Sequence, residues 1–267
     1  MKPLAVFFIL SYGIAWLLWA PLVVSKRGLS LVSWDVAMIW MLPGSYAPLL
    51  AAFITHRWFN RNWRAVDFLR GWKRSWIGIV VAPVLALTGI VIIPSLFIAK
   101  TAAADLQWGV FSYYHLLIFH WGSIAGGPLG EEPGWRGYAL PQLQEKYGPL
   151  VASIALGVLW ALWHLPLFLV EGWSSSPVPI YVLILTSLSV LMAFSFNLSG
   201  GNVIVAIIAH SAGNSCSHLL RGVLNGAETR ETPSGDLIIG LSLAGLAAIV
   251  TITTRGRLGV PKTQSIS

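Results

Sequence analysis

The stretch WIGIVVAPVLALTGIVIIPSLFIA, residues 76 to 99, contains no ionisable side chain. As a helix it is long enough to cross the ~30 Å hydrocarbon core of a bilayer. Working outward from it, apolar stretches of similar length fall at 4–24, 35–55, 110–126, 149–170, 177–197, 202–220 and 237–254. The stretch 110–126 is short and runs straight into a glycine-rich segment. The first, 4–24, reads as a span rather than a signal peptide, because its apolar part is long and no A-x-A cleavage pattern follows it. The sequence therefore predicts an all-α fold: a polytopic membrane helical bundle of about eight transmembrane helices.

Composition agrees with that reading. The 267 residues are 56% hydrophobic and 10% charged, against about 25% charged in soluble domains. Mean hydropathy is +0.72. Fourteen Trp and seven Tyr suit a protein with two membrane interfaces. Cys216 is the single cysteine, which excludes an intrachain disulfide and any multi-cysteine zinc or iron–sulfur site within one chain. The net charge of +7 does not imply nucleic acid, since in a membrane protein the distribution of positive residues reports topology first. Arg57, Arg61, Arg64, Arg70, Lys73 and Arg74 share the loop 56–75 with only Asp67, and Arg255, Arg257 and Lys262 follow the last span. Eight spans with a cytoplasmic N-terminus put both basic segments, and the C-terminus, on the cytoplasmic side. That topology sets Glu131 and Glu132 near a cytoplasmic helix end, and His164 deep in its span or toward the outer end.

Against this oily background the segment GGPLGEEPGWRGYALPQLQ, residues 126 to 144, is the exception. Ionisable groups at membrane depth are costly, so function is their default reading. Glu132 and Arg136 stand four residues apart and share a helix face, which predicts an ion pair and leaves Glu131, about 100° round the helix, for other work. Pro133 admits two geometries: a helix that begins near it, or one that begins near Pro128 and kinks. A second cluster is Trp160-Ala-Leu-Trp163-His164-Leu-Pro166, where Trp160 lies one turn before His164 and can wall off a pocket. A third is His210-Ser-Ala-Gly-Asn214, whose first and last residues share a face. Each cluster alone has a plain structural reading as interhelical hydrogen bonding. Two carboxylates and two histidines converging from three segments point instead to chemistry.

A Glu and a His can hold and deprotonate a water. A Glu with two His is also a zinc set with an open position, and His and Asn donors can steady an oxyanion. Peptide hydrolysis uses every member. No G-x-S-x-G elbow or H-E-x-x-H motif is present, so neither a serine hydrolase elbow nor a conventional zincin is indicated. Of the other histidines, His56 heads the basic loop, His115 and His120 stand five apart and do not share a face closely, and His218, two turns past His210 near the end of its span, reads as structural rather than catalytic.

The order Glu131-Glu132-x-x-x-Arg136, then an aromatic-x-x-x-His ending at His164, then His210-x-x-x-Asn214, resembles the CPBP family. Its members include type II CAAX prenyl endopeptidases and bacterial bacteriocin-processing and self-immunity proteins. The resemblance implies an intramembrane endopeptidase opening toward the cytoplasm, with residues 110–220 as its core. The flanking regions are 1–109, which holds the basic loop, and 221–267, the last span and tail. Glu131 and His164 would activate water, His210 and Asn214 would steady the oxyanion, and Glu132 and Arg136 would shape the site. A metal-dependent version would place Glu131, His164 and His210 around Zn2+. The implied partners are membrane lipid and a protein or peptide substrate, prenylated or not. Two departures stand out: Pro133-Gly134 replaces bulkier apolar residues, and Trp160 stands where Phe is usual. A transporter and a non-catalytic immunity or scaffold protein of the same fold are the competing readings.

Overall fold

The computed structural model describes residues 2–59, 75–102, 106–109, 124–174, 176–224 and 233–261. Among them all the regular secondary structure is helical, and seven helices are long and apolar enough to span a membrane. These are α1 (Pro3–Val24), α2 (Met38–Phe59), α3 (Ser75–Lys100), α5 (Pro149–Leu169), α6 (Val178–Leu198), α7 (Val203–Val223) and α8 (Pro233–Thr253). A further helix, α4, runs over 128–147 between α3 and α5. Each observed span coincides with an expected one to within a few residues. The expected span 110–126, with His115 and His120, lies almost wholly outside the described residues.

Side-chain bonds between helices fix their relative directions. Tyr12 donates to the Leu159 carbonyl and Trp16 to the Trp163 carbonyl, so α1 and α5 run parallel. Trp19 donates to the carbonyl of Met41, and Trp40 to that of Leu18, so α2 returns antiparallel. Asn202 donates to Ser75, and Asn197 to the carbonyl of Leu258. The ends Pro3, Phe59, Ser75, Pro149, Leu198, Val203 and Thr253 therefore share one face of the bundle. Because the loop 56–75 and the tail after Thr254 join these ends, we call it the basic face. Val24, Met38, Lys100, Leu169, Val178 and Val223 end at the opposite face, where the Val223 carbonyl accepts from the Gln107 N–H and that of Arg27 from Glu171.

Small residues bring these helices close, as expected where lipid supplies no hydrophobic drive for association. Gly157 of α5 lies against α6, where a Cβ would stand 2.6 Å from the Thr186 Cα. Nearby, Ser189 donates to the Ser153 carbonyl at 2.9 Å. Large apolar side chains such as Leu17, Phe53, Val80, Leu241 and Ile252 are exposed. In a soluble protein such a surface would be a liability; here it is the face that meets lipid.

Candidate active site

The site begins with the local structure of α4. Pro128 opens the helix, where its missing N–H costs nothing. The helix runs on through Pro133, then widens into a π-helical stretch, Pro133–Ala139, before closing as α-helix over Leu140–Tyr147. Of the two geometries the sequence allowed, the start near Pro128 is found, with a π-helical widening after Pro133 in place of the expected kink. Pro133 cannot donate to the carbonyl four residues back, and wide turns of this kind recur at functional sites. Gly134 allows the stretch to lie on α2, since a Cβ there would stand 2.4 Å from the Pro48 carbonyl oxygen. The departure Pro133-Gly134 is thus a fit to the neighbouring helix.

The expected ion pair forms. Glu132 Oε1 accepts from Arg136 Nη1 at 3.0 Å, with both side chains fully buried. The same oxygen lies 2.8 Å from His210 Nδ1. Arg136 also directs Nη2 at the Met192 sulfur, and its guanidinium lies 4.6 Å from the centre of the Trp160 ring. Burying an ion costs several kcal/mol unless charge and hydrogen bonds compensate it. Glu132 is compensated by a cation and an imidazole.

Glu131 is not left wholly free, as the pairing had implied. Its Oε2 accepts from Trp160 Nε1 at 2.7 Å, and the residue is only 4% exposed. Its Oε1 makes no hydrogen bond among the described residues. It borders Gly127, where a Cβ would stand 2.8 Å from this oxygen and 3.8 Å from His210 Cε1. Of the two carboxylates, Glu131 is the one whose protein partner is neutral.

Trp160 joins the parts. Besides Glu131 and Arg136 it meets His210 edge-on at 5.0 Å, and its carbonyl lies 2.9 Å from His164 Nδ1. That last bond follows from how α5 ends. The α-helical part stops at Trp163, and the His164 N–H turns to the Ala161 carbonyl, leaving the Trp160 carbonyl without its usual backbone donor. The His164 ring takes that place, with Nδ1–H donating and Nε2 available. Pro166 lies in the 3-10 stretch that follows, Leu165–Leu169, where its missing N–H cannot continue the α-helical hydrogen bonding. Trp163 and Trp19 flank the imidazole, and Trp173 and Tyr181 close around it from the opposite face.

Glu131, Glu132, Arg136 and His210 thus meet in one cluster, and His164 is tied to it through Trp160. Asn214, one turn beyond His210, is exposed, with no hydrogen bond to a described residue. The depth differs from expectation. Glu131 lies level with Trp160, in the middle of α5, rather than at a helix end by the basic loop, because α4 starts inside the bundle and descends to the basic face. His56 lies beside Tyr138, at 6.5 Å between rings, and His218 is exposed. Sequence reasoning gave Trp160 the role of a wall. Its indole N–H as the partner of Glu131 was signalled only by the exchange of Phe for Trp. The contribution of Gly127 had no signal beyond its place in a glycine-rich run.

A metal centre built on Glu131, His164 and His210 does not fit this arrangement. Among the described residues no three His, Cys, Asp or Glu side chains stand close enough together to hold one ion.

Comparison with known proteins adds the context. Residues 113–216 match the family model of the type II CAAX prenyl endopeptidase Rce1-like proteins. A curated relative, CAAX prenyl protease 2 of Methanococcus maripaludis, is 30% identical over 143 residues, 51% of this chain and 53% of the relative. The chain spans about half the length of the curated relative it matches. The segment similar to the Rce1-like family of type II CAAX prenyl endopeptidases holds every residue of the site described above: Glu131, Glu132, Arg136, Trp160, His164, His210 and Asn214.

Proposed function

We propose that the protein is an intramembrane endopeptidase in which Glu131 is the base that activates water. One observation carries this reading: of two adjacent buried carboxylates, Glu132 is paired with the Arg136 guanidinium and hydrogen-bonded to His210, whereas Glu131 meets only the neutral Trp160 indole. Its second oxygen borders Gly127, with His210 beside it. A carboxylate held dry and short of compensating charge takes up a proton readily, as a general base must.

In the proposed reaction a water lies between Glu131 Oε1 and His164 Nε2. Glu131 takes one proton as the water oxygen bonds to the peptide carbonyl carbon. The carbonyl electrons pass to oxygen, and the resulting oxyanion accepts from His210 Nε2–H and the Asn214 amide. Glu132 supports this by holding the His210 ring at Nδ1, which turns Nε2 toward the oxyanion. When the C–N bond breaks, the proton on Glu131 passes to the departing amine, and Glu131 returns as carboxylate. Trp160 aims the carboxylate, while Arg136 holds Glu132 in place. No step is routed through a metal.

The experiment is cleavage of a reporter peptide, offered with and without a prenylated cysteine, by the full chain in proteoliposomes. Glu131→Gln keeps the shape and the bond from Trp160 but cannot take a proton. Cleavage should vanish while expression and thermal stability persist. Retained cleavage in that variant overturns the assignment of the base.

A further inference from the structure

His164 is held by a single hydrogen bond, from Nδ1 to the Trp160 carbonyl. One such bond favours the rotamer that makes it only about two- to tenfold over a rotamer that does not. It also leaves the ring free to tilt about the bonded atom. The aromatic rings around it supply the rest. Trp19 and Trp163 touch each other at 4.6 Å between ring centres, and Trp173 and Tyr181 touch at 5.4 Å. Among the described residues no ring contact joins the first pair to the second. The His164 ring meets all four, so it lies between the pairs. Trp19 and Trp173 are close to parallel with it, at 20° and 24°. Trp163 and Tyr181 are close to perpendicular, both at 76°. Tilt is thus opposed in each direction.

The two pairs differ in what fixes them. Trp19 and Trp163 are buried, and their indole N–H groups donate to the carbonyls of Met41 and Ser11. Trp173 and Tyr181 are half-buried. Trp173 stands on the connection between α5 and α6, and Tyr181 near the start of α6. Phe168 backs both, at 4.8 and 5.1 Å, and the Glu171 N–H ties the connection to the Arg27 carbonyl. Interfacial tryptophans are common in membrane proteins, and Trp34 and Trp40 are of that kind, 47% and 45% exposed. Trp173 differs in having its ring turned onto an imidazole. We propose that Trp173 and Tyr181 are positioning residues. They form the outer wall against which the His164 ring rests, so that Nδ1 stays on the Trp160 carbonyl and Nε2 keeps one bearing. Their part in the reaction rests on the proposed role of His164, whereas the placement of the ring does not.

The test uses the full chain in nanodiscs and two readouts. One is turnover and KM for the reporter peptide. The other is the proton signal of the His164 Nδ1–H in isotope-labelled protein, assigned by its loss in His164→Gln. Trp173→Leu and Tyr181→Leu each remove one side of the wall. Each should lower turnover roughly 10- to 100-fold, the scale of a misplaced catalytic group, with KM and melting temperature little changed. Trp173→Phe and Tyr181→Phe keep a ring in place and should recover most of the loss. The Nδ1–H signal should persist in both phenylalanine variants and be lost to exchange with water in both leucine variants. Unchanged turnover in the leucine variants overturns the proposal, as does a raised KM at unchanged turnover or a loss that phenylalanine does not recover. Should one leucine variant fail to fold, the other carries the same expectations; if neither folds, the rings are structural and the proposal falls. If the wild type cleaves no peptide but the signal responds as stated, the ring placement stands and the peptidase reading falls. If the wild type cleaves and the signal persists in the leucine variants, the positioning falls and the peptidase reading stands.

Discussion

Helices α7 and α8 are of similar length and lie in the same bundle, yet they solve opposite problems. In the most apolar window of α7, 67% of residues are buried inside the protein, against 33% in α8. The more buried helix is the more polar one: it carries His210, Ser211, Asn214 and Ser215, whereas α8 turns Leu241, Ile249 and Ile252 outward. In water the buried helix would be the oilier. In a bilayer lipid takes the apolar faces, and the interior is where polar groups find partners. The contrast identifies α7 as a wall of the site and α8 as a lipid-facing support.

That contrast can be broken in steps. The largest effect belongs to Glu131, beside α7. Glu131→Gln should lower the reporter cleavage rate by at least ~10²–10⁴-fold, the usual worth of a general base, at unchanged melting temperature. Next, Arg136→Ala strands Glu132 beside α7. Removing one partner of a buried pair costs about 3–5 kcal/mol, so the yield of folded protein in detergent should collapse, and Glu132→Gln added to Arg136→Ala should recover part of it. Trp160→Phe then keeps the ring beside His210 but removes the N–H that holds Glu131. A hydrogen bond to a charged group contributes about 1.5–3 kcal/mol, so cleavage should fall roughly 10- to 100-fold with the fold intact. Gly134→Ala forces α4 off Pro48 and should destabilise by about 1–3 kcal/mol, read as a lowered melting temperature. The smallest effect is expected on α8, where Leu241→Ala, 58% exposed, should change neither cleavage nor stability measurably. A large loss of activity there would erase the distinction between wall and support.

The spans were legible because length and hydropathy are set by the bilayer and not by neighbouring helices. The pairing of Glu132 with Arg136 was legible for a similar reason, since helical periodicity alone brings the two together. The depth of Glu131 was not. It depends on α4 beginning inside the bundle, and that depends on Gly130 and Gly134 lying flush against the backbone of α2. Such fits are tertiary and leave only glycines as their trace in the sequence. His164 falls between these cases. Pro166 signals weakened helical hydrogen bonding beside it, but the bond from the His164 ring to the Trp160 carbonyl needed the observed exchange of hydrogen bonds at Ala161.

The π-helical stretch Pro133–Ala139 has a consequence of another kind. A wide turn holds one residue more than the α-helical course would, so everything before it is rotated by about 100° relative to everything after. The helix thus works as a coupling with a built-in offset. Leu140 and Leu143 seat its lower half in the core, while the upper half aims Glu131 and Glu132 along a different bearing. Seen as descent, the stretch has the form of a single inserted codon in an ordinary helix. A one-residue deletion there would leave both glutamates in the chain, and both pointing the wrong way.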